Sequence, residues 1–401
     1  MSTPWQDLDL PTFKGHPGWE FTELKGFELD SFVTAGGGDL AAADSADLIF
    51  GAELAGTRLT QVDHAHEPVA DAGPEPGRAL VMPLSQAVEQ HGDLVDAHLG
   101  SLVAAGENVF TARNAAEWAG GAFVYVPRGV RVEEPIVLSA IQAEEGSALN
   151  WRVLVVLEEG AQAEIWEQCA STAPGLFTTV VELVVGANAG LRFVSAQNLD
   201  ERSQIFGTQR ARVADDGRID WVVLGFGGGQ GKVFQNTILA GRGAEGNVTG
   251  AYALHGRQHL DFDTTQEHAA PHCTSNLAFR GILAGRSSAV WRGMIKVDEG
   301  AQETDAFQES RNLLLSKRAH ADAIPGLEIL ANDVRCTHAA AIAQVDPEQL
   351  FYLRARGLSL ELASRLVVEG FLAELVERFE EGPTREALAA ALERRLGTVL
   401  G

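Results

Sequence analysis

The stretch VLEEGAQAEI, residues 156–165, joins two short apolar runs through a polar, glycine-marked turn. Val156 and Leu157 close a run rich in β-branched residues, Glu158-Glu159-Gly160 supplies turn chemistry, and Ala163 and Ile165 open the next run with alternation. The same figure returns as VVGANAGLRF (184–193), VADDGRIDWV (213–222) and LAGRGAEGNV (239–248). Its glycines, at 160, 190, 217 and 246, stand about 30 residues apart. Regular short strands with turn signals suit a sandwich, a barrel or a β-solenoid. The style persists over residues 119–345 with few helical patterns, which is long for one sandwich. A solenoid, in which each coil buries its face on the next, takes that length most easily. Hairpin meanders give the same spacing, so the pattern favours a solenoid without excluding them.

The flanks differ in kind. Residues 1–118 form a mixed, partly helical zone that opens with the Pro/Gly-punctuated LPTFKGHPGWEFTELKGF (10–27). PLSQAVEQHGDLVDAHLGSL (83–102) and NVFTARNAAEWAG (108–120) carry apolar residues at helical spacing, and ADAGPEPGR (70–78) between reads as loop. Residues 346–401 predict helices. Asp346 caps one that begins at Pro347, Ser359 caps a second that stops by Gly382-Pro383, and Thr384 opens a third. Leu358, Leu362, Leu366, Phe371 and Leu375 are expected along one side, either packing on the molecule itself or offering a docking surface.

At 401 residues there is ample core for two or three domains or one long repetitive one. A net charge of −24 argues against unaided binding to nucleic acid or an anionic membrane. No basic-flanked apolar leader or run of about 20 apolar residues is visible, and a cytoplasmic protein is expected. Three widely spaced cysteines, Cys169, Cys273 and Cys336, do not suggest a disulfide framework.

GFGGGQGK (225–232) resembles a phosphate-binding loop at first sight. Such a loop needs glycine five residues before its last glycine and a hydroxyl after the lysine, to cradle phosphates and hold Mg²⁺. Phe226 and Val233 occupy those positions, and VFQNTILAG (233–241) has no helix start to receive an anion. The chain is therefore not expected to be an ATPase, and the glycines read as a turn between strands.

The strongest chemical constellation is NDVRCTHAAAIAQV (332–345). On a strand, Cys336 and His338 share a face with Cα atoms roughly 6.5–7 Å apart. Thiolate and imidazole together can hold iron, or a cluster shared with a second chain. Val334, Ala340 and Ile342 share that face, so Cys336 reads equally as a small core residue. In HGRQHLDFDTTQEHAAPHC (255–273), the pairs His255/His259 and His268/His272 would each share a strand face, with Glu267 and Cys273 near. Turn-bonded histidines are the plainer reading there. No G-x-S-x-G elbow or HExxH is present.

GGAFVYVPRGVRVEEPIVL (120–138), the stretch from Ser275 to Ser316 and PGLEILANDVRCTHAAAIAQVDPEQLFYLRARGL (325–358) resemble the SufB/SufD family of iron–sulfur cluster assembly proteins. The resemblance runs from about residue 110 to 375, and LPTFKGHPGWEFTEL (10–24) is similar to the entry of SufD-type members. It implies a mainly β fold: a right-handed parallel β-helix core, residues 119–345, between the N-terminal mixed region 1–118 and the C-terminal helices 346–401. It further implies pairing with a SufB-like paralogue and docking of a SufC-like ABC ATPase on those helices, so that a partner handles ATP. Cys336-Thr337-His338 matches the SufD-type Cys-x-His, whose histidine the resemblance implicates in cluster building at the paralogue interface. Ala339 departs from the glycine many members carry there. No cofactor bound stably by the chain alone is implied. A transient iron–sulfur cluster, and a reduced flavin, belong to the assembled complex. Two classes of function follow: a non-catalytic scaffold subunit, and a stand-alone metal-dependent or lyase-type β-helix enzyme.

Overall fold

A computed structural model describes residues 4–12, 17–51, 54, 56–66 and 77–400. Most of the loop expected at 70–78, and Phe13–His16 of the opening segment, lie outside the described residues. The body is a β-solenoid of parallel strands in two ten-stranded sheets. Successive strands alternate between the sheets, so Gln162–Ser171, Gly190–Asn198, Arg218–Gly225, Glu245–Leu254, Thr274–Leu283 and Thr304–Leu314 stack in one. Leu176–Val185, Gln204–Val213, Gln230–Leu239, His259–His268 and Ser288–Val297 stack in the other. The quoted glycine motifs are the turns between the two sheets.

Register explains why the coils hold together. Ile165, Phe193, Trp221, Val248 and Leu277 lie directly over one another and face inward, all buried in the main core. Burying such a column removes the apolar face of every coil from water, at about 25 cal/mol per Å². Parallel strands are covered on their outer faces as well. Helix Val109–Glu117, entered through an Asn108/Thr111 capping box, lies on one sheet, where Asn114 Nδ2 donates to Trp151 O (3.0 Å) and Thr178 Oγ1 (3.1 Å). Trp19, Phe110, Phe206 and Phe234 pack beside it and bring the N-terminal segment down.

The first coils are closed by antiparallel strands, Ala65–His66 on Thr57–Val62 and Leu80–Met82 on Ala122–Val126, and by helices Leu84–Gln90 and Gly92–Asp96. At the other end, among the described residues, His320–Ile329 and Val334–Gln344 each pair on one side only.

The C-terminal helices start where their caps place them: Asp346 accepts from Glu348 N before Pro347–Ala355, and Ser359 from Leu362 N before Leu360–Val376. The third begins at Pro383, one residue before the expected Thr384, and ends at Leu400. The expected stripe does not hold. At 100° per residue, Phe371 lies opposite Leu362. Val368, Leu372 and Leu375 pack in one cluster with the sheet residues Val194, Val222, Ala251 and Ile282, whereas Leu362 and Leu366 are exposed. The helix Leu360–Val376 thus packs one face on the sheet and leaves Leu362 and Leu366 exposed on another. Among the described residues no helix is long and apolar enough to cross a membrane.

Candidate functional site at the open end of the solenoid

Cys336 and His338 lie on the last strand, paired across the ladder with Ala306 and Gln308. Ala306 and Gln308 are buried in the interior, so strand alternation turns Cys336 and His338 to the inner face of the final coil. Among the described residues no further coil covers that face. Arg335, on the opposite face, bonds Asp305 across the same ladder at 3.3 Å. Leu327, Ile329, Leu330 and Ile342 are exposed along the rim of this open end.

The two candidates have different surroundings. Cys336 is half-buried beside Val334 in a small cluster with Ile295, Val297 and Ala306. Burial pushes its thiol above the ordinary range, and the Asp305 carboxylate adds to this, so it stays protonated unless a metal or cation displaces the proton. His338 is exposed and makes no hydrogen bond or ion pair among the described residues. Its ring is free to ligate. Among the described residues no three His, Cys, Asp or Glu side chains stand close enough to hold a metal. Two donors on one exposed strand can supply part of a coordination sphere that another molecule completes.

The structure separates the second histidine group. His255 sits in a turn, 3.2 Å from Glu201. His259 lies on an outer face against Ser288 Oγ (2.8 Å). His268 points inside to Ser275 Oγ (2.9 Å), with burial driving its pKa down to about 4. His272 occupies a left-handed turn position (φ 62°) beside Glu303, and the Cys273 thiol contacts Gly241 O at 3.2 Å. They share no face because the strand His259–His268 begins and ends between the members of each pair.

The glycine run at 225–232 is a turn packed on its neighbours: Gly228 has φ 80°, and a Cβ on Gly227 would collide with the Leu199 backbone. Lys232 is 1% exposed, with Nζ 2.7 Å from Asp261 Oδ1, and Thr22 from the N-terminal segment closes over them onto Asp261 Oδ2. That lysine is committed to the fold and reaches no phosphate.

Sequence reasoning missed the apolar rim, because alternation assigns Leu327 and Ile329 to the interior. One signal marked the strand as an edge: Pro325, which lacks the N–H a central strand needs.

The chain matches two family models: the SUF system FeS cluster assembly SufBD core domain over residues 139–371, and the SufBD protein N-terminal region over 62–138. It is 33% identical to the iron–sulfur cluster assembly protein SufD of Bacillus subtilis over 77% of its own length and 72% of that protein's. It is 30% identical to an iron–sulfur cluster assembly SufBD family protein of Staphylococcus aureus over 71% of its length, spanning 62% of that relative. A Staphylococcus haemolyticus member of that family matches to the same extent. With the core model alone covering more than half of it, the chain belongs to the SufBD family of iron–sulfur cluster assembly proteins.

Proposed function

We propose that this chain is a SufD-like, non-ATPase scaffold subunit. It pairs at its open coil with a SufB-like paralogue, docks a SufC-like ABC ATPase on residues 346–401, and offers His338 to a cluster built at the joint. The observation that carries this is the position of His338, unpartnered on the inner face of a strand whose far edge is unpaired. A second solenoid end placed there would satisfy the edge and supply the missing ligands. On the helices, exposed Phe351, Tyr352, Leu362 and Leu366 beside an apolar groove of about 620 Å³ support a docking role. The cluster is cargo, held in transit, and the chain needs no reaction of its own.

The test is His338→Ala in the co-purified complex. Iron and sulfide bound per complex are expected to fall several-fold, with subunit assembly, melting temperature and ATP turnover nearly unchanged. Cys336→Ala is expected to be milder, since its thiol is part of the apolar rim cluster. Wild-type cluster yield in His338→Ala, or a loss that simply follows a loosened interface, sinks the assignment.

A further inference from the structure

The solenoid interior is not uniformly apolar. Glu167 is 1% exposed and faces inward, accepting from Trp151 Nε1 and Ser195 Oγ, each at 2.8 Å. Ser195 in turn accepts from Gln209 Nε2 at 3.2 Å. From Gln209 an unbroken inward column runs along the ladder through Gln235 and Thr264 to Gly293. Gln308 reaches over from the opposite sheet, and its amide donates to Gly293 O (3.3 Å) and Gly326 O (3.0 Å). A Cβ on Gly293 would collide with the Trp291 ring and, at 2.5 Å, with Gln308 Oε1. Gln308 is the ladder partner of His338.

Several polar atoms of this column have no protein partner: Gln209 Oε1, both amide atoms of Gln235, and Gln308 Oε1. The indole nitrogens of Trp221 and Trp291, on inward positions of the same coils, are also unpartnered. All five side chains are at most 5% exposed. Buried amides are almost always hydrogen-bonded, by protein or by ordered water. A buried water needs room and two to four polar partners. Room shows at Ser195, which is only partly buried although it faces the interior, whereas Gln235, Thr264 and Gln308 are at most 1% exposed, so further along the column there is space for single enclosed waters at most.

We propose that the solenoid interior binds a file of water molecules. It starts beside Glu167 and Ser195, passes Gln209, Gln235 and Thr264, and ends at Gln308 beneath His338. Gln235, with a donor and an acceptor both free, is its central partner. The file stands on these interior residues alone, whether or not a cluster forms at His338.

The test uses the full-length chain and solvent exchange of the Trp221 and Trp291 indole protons, followed by NMR in D₂O. Water inside the folded solenoid makes them exchange on the order of 100-fold faster than the slowest core amides, without global unfolding. Indole protection equal to that of those amides means a dry interior and overturns the proposal. Gln235→Met, close in volume and apolar, gives a second reading in the opposite sense. A solvated amide loses its water bonds in this variant, and the melting temperature falls. A bare, dry amide costs stability as it stands, so its removal would raise the melting temperature and overturn the proposal.

Discussion

His268 shows how an interior position decides chemistry that spacing cannot. Its imidazole is buried against Ser275, no carboxylate partners it among the described residues, and burial holds its pKa at about 4. The unfolded chain, with an ordinary histidine pKa of about 6.5, takes up the proton first as pH falls. Stability from this residue is therefore full above pH 6.5, declines between about 6.5 and 4, and levels off below. The loss amounts to about 3 kcal/mol at 1.36 kcal/mol per pH unit. His268→Gln is expected to reduce the drop in urea midpoint between pH 7 and 4.5. An unchanged drop would show that His268 is protonated in the fold. Lys232 carries the complementary lesson. Asp261, its partner, is 29 residues away in sequence and directly adjacent across the ladder, so no local pattern could reveal the pair. Lys232→Ala strands a buried carboxylate and is expected to cost about 3–5 kcal/mol, read from chemical unfolding. A cost within 1 kcal/mol of zero would mean that Thr22 and water suffice for Asp261.

At the scale of elements, turns and caps were legible because their chemistry is local. Gly160, Asp346 and Ser359 act within a few residues of themselves, and each sits where the sequence placed it. Faces were harder. Leucine spacing suggested one stripe on the helix Leu360–Val376, but the sheet beneath selects Val368, Leu372 and Leu375 and leaves Leu362 and Leu366 outside. This division gives a test of docking that spares the fold. Leu362→Glu with Leu366→Glu is expected to weaken ATPase binding at least tenfold in a calorimetric titration, with the melting temperature within a degree or two of wild type. Leu372→Ala, by contrast, opens a cavity over the sheet and is expected to cost about 2–5 kcal/mol. Unchanged affinity in the double variant would move the docking surface elsewhere. Deleting residues 346–401 outright is a poorer experiment, since it strips the cover from Val194, Val222 and Ile282.

Across the whole molecule the two ends of the solenoid are treated differently. The first coils are finished by antiparallel strands and helices, while the last two strands, His320–Ile329 and Val334–Gln344, leave both sheet edges and an apolar rim uncovered by any described residue. Regular glycine spacing favoured a stack of coils over a meander without deciding it, and could not say which end of the stack was bare, because capping depends on what covers an edge and not on the strand's own composition. In a solenoid each coil is held only by its neighbours, so a terminal coil with one neighbour opens more easily than those between two. Amides of residues 320–344 in the isolated chain are therefore expected to exchange on the order of 100-fold faster than those of the central strands, Gln204–Val213 and Gln230–Leu239. If this end is the joint with the paralogue, binding supplies the missing neighbour. Protection in 320–344 should then rise toward that of the central coils, while 360–376 is unaffected until the ATPase is added. Terminal strands as protected as the centre in the isolated chain would show that the end is already closed. Protection arriving at the helices instead of the last coil would place the joint on the other side of the molecule, and His338 would lose its reason to be there.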